Sequence, residues 1–275
     1  MTFQDASVKD VQNKIYDVML YVHKLCKNNN IKYFLSGGTL LGAVRHKGFI
    51  PWDDDADIMF LREDYERFLQ AASKDNDARF KIGSIRNDVN WTRPWARVWD
   101  SKTIVEFDSI SDSAIGVYVD ILPIDGLPDG MMAFKLFNYR IKWLNTLRNA
   151  AMRTSFVEGE KHRFIKKIIG LFAKRHSAYH YASKVDRLCA SYKNNKSNFC
   201  GVSVLSHYME KERFSEKCFE KTVEMDFEGS RFMCPSGYDA YLRQLYGDYM
   251  VLPPLEKQKS EHIFRITSMQ EDYEE

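Results

Sequence analysis

Apolar positions recur at helical spacing over residues 8–29. Val11, Ile15, Val18, Met19, Val22 and Leu25 fall on one side, and the run Asn28-Asn29-Asn30 ends the pattern. His23 within it reads as a surface or packing residue. The runs that follow are shorter and lose the helical period. Residues 33–35, 58–60, 80–85, 95–99, 103–107 and 116–123 each predict a strand, with 80–85 and 95–99 in one sheet. Between them, residues 39–44 predict a short helix capped by Thr39, with Leu40, Leu41 and Val44 on its apolar side. Residues 63–72 predict another through Tyr65, Phe68 and Leu69. Beyond Met131 the spacing of Phe134, Phe137, Ile141 and Leu144, and again of Phe164, Ile168, Leu171 and Phe172, predicts amphipathic helices. A helix over 179–192, a strand over 201–205, a hairpin over 221–234 turning at Glu228-Gly229-Ser230, and a helix over 238–246 stopped by Gly247-Asp248 complete the pattern. No internal repeat is visible.

At 275 residues, 44% hydrophobic and 28% charged, the chain reads as a soluble globular protein, one large domain or a domain with an insertion. The expected division is a core over 1–130, a basic helical insertion over 131–200, and strands and a helix over 201–275 that complete the core. A net charge of +2 gives no argument for nucleic acid as a partner. The five cysteines show no CxxC pair or zinc spacing, which fits reduced thiols in a cytoplasmic protein. The first ten residues are polar and lack the apolar stretch of a signal peptide, and no run is long enough for a transmembrane span.

Chemistry concentrates in YFLSGGTLLGAVRHKGFIPWDDDADIMF, residues 33–60. If 55–60 is a strand, Asp55 and Asp57 share a face, and two carboxylates so close repel unless a cation lies between them. Glycines at 37 and 38 let backbone N–H groups approach phosphate, and a helix start beginning with Thr39 favours negative charge. Together these are the parts needed to hold a nucleotide's phosphates against Mg²⁺, or Mn²⁺ in its place. Arg45, His46 and Lys47 are the nearest candidates for phosphate or nucleotide contacts. Asp120 is a lone acid in an apolar strand run; it joins the metal site, pairs with Arg97 or caps a turn. Arg97, itself among apolar neighbours, meets either a carboxylate or a substrate phosphate. Asp125 reads as a turn residue, and His262 reads either as a surface residue or as one reaching the nucleotide or acceptor phosphate. Residues 131–180 carry eleven Lys/Arg against two Glu, so they read as a solvated insertion or as a face for an anionic membrane.

Three blocks carry a resemblance. GGTLLGAVRHKGFIPWDDDADI resembles the signature of the LicD family within the nucleotidyltransferase superfamily. YVDILPIDGLP and FEGSRFMCPSGYDAYLRQLYGDYMVLPP resemble its second and C-terminal blocks, so the likeness runs over about 16–262. Ala56 and Leu122 depart from the isoleucine and phenylalanine common there, and both stay apolar. The resemblance implies an α+β fold, a nucleotidyltransferase-type mixed sheet flanked by helices, here with a basic helical insertion. It implies Gly37 and Gly38 as the glycine motif, Asp55 and Asp57 as paired metal ligands and Asp120 as a third carboxylate. The activity it implies is Mg²⁺-dependent transfer of a phosphorylated alcohol, phosphocholine from CDP-choline, to a glycan or lipid-linked saccharide with release of CMP. Members of the fukutin group transfer ribitol phosphate instead. The expected location is cytoplasmic, peripheral at the inner face of the membrane if 131–180 binds lipid. Competing readings are attachment of a nucleoside monophosphate with loss of pyrophosphate, and a non-catalytic sugar- or nucleotide-binding protein.

Overall fold

The structure is a computed structural model and describes residues 4–5, 7–106, 115–153, 162–205, 208–260 and 265–268. After the two-residue strand β1 (Gln4–Asp5), Ser7 caps helix α1 (Val8–Asn28). Its hydroxyl accepts the Asp10 N–H at 3.2 Å while the Asp10 carboxylate accepts the Ser7 N–H at 3.1 Å. The apolar side read from the sequence is buried, from Val11 to Leu25. His23 bonds the Tyr33 hydroxyl at 2.6 Å and packs on Phe232, a packing residue as expected.

The central sheet follows from the apolar runs. β2 (Phe34–Leu35) leads into helix α2 (Gly37–His46), and β3 (Asp57–Leu61) into helix α3 (Arg62–Lys74). Then come β4 (Phe80–Gly83), β5 (Ala96–Asp100), β6 (Thr103–Glu106) and β7 (Tyr118–Leu127), with strand order β2-β3-β7-β5-β4. β3 and β7 are parallel; the other pairs are antiparallel. The sheet is therefore mixed and flanked by helices, the α+β class expected.

β7 continues past Pro123, where the sequence suggested a turn. β5 pairs with β7 no further than Ile121, and β8 (Phe199–Gly201) pairs from Asp125 onward. Pro123 lies in the gap, where neither antiparallel neighbour needs its missing N–H. The strand expected over 201–205 is thus three residues ending at Gly201, extended sideways by β9 (Phe214–Ser215). The hairpin β10 (Thr222–Phe227) and β11 (Ser230–Pro235) turns through Glu228 and Gly229, both at positive φ (47° and 82°), the geometry a two-residue turn requires. It packs on β2. β6 leaves the main sheet and pairs with β12 (Arg265–Ser268), which also pairs with β1.

Three helices build the 131–200 region: α4 (Met131–Met152), α5 (Arg163–Ala173) and α6 (Ala178–Ala190); α7 (Tyr238–Tyr246) follows the hairpin and packs on α2. α4 buries Phe134, Phe137 and Ile141. One hydrophobic cluster runs from α1 through the sheet to α4, α6, the hairpin and α7. All five cysteines are buried and free.

Asp125 is fully buried in β7 rather than placed at a turn. Arg62 at the start of α3 meets it twice, Nε to Oδ1 at 2.7 Å and Nη2 to Oδ2 at 2.5 Å, and also reaches Asp186 of α6 at 2.7 Å. Arg86 holds the other Asp186 oxygen at 2.8 Å. One guanidinium thus joins α3, the sheet and α6.

Two expectations follow. Arg62→Ala strands the Asp125 carboxylate in the core and should cost about 3–5 kcal/mol in denaturant unfolding. Glu212, buried beside β8 with its Oε2 accepting the Val202 N–H, has its carboxyl pushed from the ordinary 4.5 up to about 8 by burial. The folded chain then holds this proton more tightly than the unfolded one, so the stability it lends is complete below pH 4.5 and lost as pH rises through 8. Glu212→Gln should unfold at a higher temperature than the parent at pH 8, with the gap closing towards pH 4.5.

Candidate active site

The parallel register sets Asp57 of β3 directly beside Asp120 of β7, and the antiparallel register sets Asp120 beside Arg97 of β5. Paired residues on neighbouring strands share a face, so two carboxylates and a guanidinium form a row across the middle of the sheet. Asp120 is held from the Arg97 side. Arg97 Nε donates to Oδ1 at 2.6 Å and Nη2 to Oδ2 at 3.3 Å, while Trp95 Nε1 donates to Oδ1 at 2.8 Å. The guanidinium lies 3.7 Å from the ring centroid of Tyr118. Of the partners open to Arg97 and Asp120 from sequence, the fold joins them to each other.

Asp57 is fixed from the opposite side. Its N–H donates to Thr39 Oγ1 at 2.9 Å, and its carbonyl accepts the Ser36 N–H at 3.0 Å. This corrects the reading of Thr39 as the helix cap: α2 starts earlier, Ser36 takes the cap position, and the Thr39 hydroxyl serves β3 instead. Gly37 has φ of 50°, and its N–H points to the Tyr241 hydroxyl at 3.3 Å. A β-carbon at Gly37 would lie 3.6 Å from Asp57 Oδ2 and 3.5 Å from the Tyr246 hydroxyl; one at Gly38 would lie 2.9 Å from Asp53 Oδ2. The glycine pair therefore brings the positive end of α2 against the carboxylates.

β3 begins at Asp57, so Asp55 lies in the lead-in rather than in the strand. It still acts on Asp57, whose carboxyl is raised well above its ordinary value by burial and then by the charges of Asp55, Asp120 and Asp53, with Arg97 opposing. Asp53 is pushed up to about 8 by burial, then by the charges of Asp55 and Asp54. Gln12 Nε2 anchors this loop through the carbonyls of Ile50 (3.1 Å) and Asp53 (2.9 Å), and the Ser260 hydroxyl donates to Asp54 Oδ2.

Other sequence candidates lie elsewhere. Arg45, His46 and Lys47 close the far end of α2, about 12 Å along the axis from Gly38. Arg45 Nη1 donates to the Tyr249 carbonyl at 2.7 Å and its Nε to His46 Nε2 at 3.0 Å. Lys47 ends the helix at φ 56°, its side chain exposed and its carbonyl accepting the Glu228 N–H at 2.9 Å. A basic trio suits that end for a local reason, the negative pole of the helix. His262 lies outside the described residues. Asp53, Tyr241 and Tyr246 were not singled out from sequence. Asp53 was within reach, since the alternation linking Asp57 to Asp55 carries one step further back.

Crowded, partly buried carboxylates lower their electrostatic energy by taking up protons or a divalent cation. Among the described residues no three carboxylate, imidazole or thiol groups already converge at ligating distance. Magnesium commonly takes one or two protein carboxylates and completes its shell with waters and phosphate oxygens. Asp55 and Asp57, with Asp53 behind them, fit that donor set, whereas the Asp120 oxygens are engaged by Arg97 and Trp95.

Comparison with known proteins bears on this geometry. A family model described as LicD/FKTN/FKRP, nucleotidyltransferase domain, matches residues 30–143, a span containing the glycine pair, the acidic loop, Arg97 and Asp120. Over 267 residues the chain is 30% identical to lipopolysaccharide cholinephosphotransferase LicD of Haemophilus influenzae, covering 94% of this chain and 96% of that protein. It is 46% identical over 44 residues to human ribitol 5-phosphate transferase FKRP, 16% of this chain and 9% of that one. An uncharacterised Rickettsia typhi protein matches over 88 residues at 42%, 30% of this chain and 28% of its own.

Gly37→Ala forces a side chain into the left-handed region beside Asp57 and Tyr246. It should cost about 1–2 kcal/mol in thermal or denaturant unfolding.

Proposed function

The chain belongs to the LicD family, and we propose that it transfers phosphocholine from CDP-choline to a hydroxyl of a cell-surface glycan or lipid-linked saccharide, releasing CMP. The observation that carries this reading is the Asp57–Asp120 pair seated against the glycine start of α2. The relative from H. influenzae supports it, since its name describes cholinephosphate transfer involving lipopolysaccharide.

In this reading the donor's phosphates lie at the N-terminus of α2, where glycines leave room and the helix pole favours negative charge. Asp55 and Asp57 would hold Mg²⁺, which when bound would supply positive charge beside the phosphate oxygens. Asp120, oriented by Arg97 and Trp95, faces the same space and takes or steers the proton of the acceptor hydroxyl. The acceptor oxygen bonds to the phosphorus bearing choline as the bond from that phosphorus to the CMP oxygen breaks. The chain's contribution is placement and charge, which dominate phosphoryl transfer.

Purified protein with Mg²⁺ and an acceptor extract should release CMP from CDP-choline faster than from the ethanolamine, glycerol or ribitol analogues. Asp57→Asn should lower that release by about a thousandfold, while thermal unfolding without metal moves up or stays level because a repelling charge is gone. Near-normal turnover in this variant would remove the site from the reaction. Pyrophosphate from CTP, with no CMP from any CDP-alcohol, would favour nucleotidyl transfer instead. Preference for CDP-ribitol would move the chain towards the FKRP chemistry.

A further inference from the structure

Helix α5 is amphipathic, and it turns its apolar side outward. Gly170 and Ala173 are its buried residues. Phe164, Ile165, Ile168, Leu171 and Phe172 are exposed, Phe164 and Leu171 by 75% each. At 3.6 residues per turn these five occupy an arc of about 120°, away from the packed side. Cations follow the edge of this arc: Arg163, Lys167 and Lys174 are exposed, and the guanidinium of Arg175 lies 5.1 Å from the ring centroid of Phe172. Between residues 161 and 185 the chain has no acidic residue.

The neighbouring helix repeats the arrangement. α4 packs against α5 and buries Phe134, Phe137 and Ile141, yet it also exposes Met132, Leu136, Tyr139 and Trp143. Those four follow i, i+4, i+7, i+11 spacing, one continuous outward stripe. Tyr and Trp suit a boundary with apolar matter on one side and water on the other.

We infer that α5 and the outward stripe of α4 form an interfacial anchor that lays the protein on an anionic lipid bilayer. No helix among the described residues is long and apolar enough to cross a membrane, so the attachment is in the plane of the headgroups. An apolar arc edged by Lys and Arg matches that environment on both counts. A second copy of the chain would press the same cations against themselves. The inference needs no donor or metal, and it stands or falls apart from the transfer reading.

The test is co-sedimentation of the full chain with phosphatidylcholine vesicles made with and without phosphatidylglycerol. Binding should require the anionic lipid and weaken as salt is raised. The double variant Phe164→Ser, Leu171→Ser should lose about tenfold or more in partitioning. Lys167→Gln and Lys174→Gln should each lose about fivefold. All four positions are exposed, so unfolding temperatures should match the parent. Equal binding to both vesicle types, absence of binding, or variants that partition like the parent would overturn the inference. So would a concentration-dependent dimer that Phe164→Ser dissolves.

Discussion

The register of β3 against β7 is the constraint to which the site answers. Sliding either strand by one residue would turn Asp57 or Asp120 to the other face, but the apolar residues around them fix the match: Ile58, Met59 and Phe60 beside Ile121, Leu122 and Pro123. Hydrophobic burial thereby holds two like charges side by side, an arrangement that destabilises a sheet by itself. The surroundings relieve it unevenly. Arg97 and Trp95 satisfy Asp120, whereas Asp57 faces Asp55, Asp53 and the glycine end of α2. The chain thus stores an unbalanced negative site next to a positive helix pole, and in the proposed reading a cation with a bound phosphate would balance both.

β7 carries a fully buried acid five residues beyond the half-buried Asp120, and the contrast separates structure from chemistry. Asp125 receives two hydrogen bonds from Arg62, which also bridges to Asp186. Its partners come from elements that pack around it, Arg62 from the first turn of α3 among them. That is a core ion pair. Asp120 has a comparable guanidinium, but its other neighbour is a carboxyl whose proton affinity is raised by burial and then by the carboxylates around it. Burial separates the two: Asp125 is fully enclosed, whereas the Asp120 side chain keeps part of its surface open to solvent.

The region from 131 onward shows a similar contrast between helices of like pattern. α4 turns phenylalanines into the core and keeps a second apolar stripe outside, while α5 buries a glycine and an alanine and leaves its phenylalanines outside. Hydrophobic spacing states that a helix has an apolar side. It does not state what covers that side, which depends on where the neighbouring elements already stand.

From sequence alone the helices α1, α3 and α7, the β10–β11 hairpin and the acidic and glycine stretches were legible, because period, caps and turn residues act over a few neighbours. The alternation Asp55, Asp57 and the lone Asp120 in an apolar run also stood out before any strand was paired, and the fold brings Asp57 beside Asp120. The basic trio Arg45, His46 and Lys47 closes the far end of α2, because closeness in sequence to Gly38 becomes the length of a helix in space. Asp125 misled because a proline that usually breaks a strand sits between two partner strands and breaks nothing. Tertiary structure alone decided that Arg97 belongs to Asp120, that Thr39 serves β3, that Tyr241 pins Gly37 and that α5 faces outward. Each depends on elements distant along the chain meeting in one register, and local spacing carries no record of that meeting.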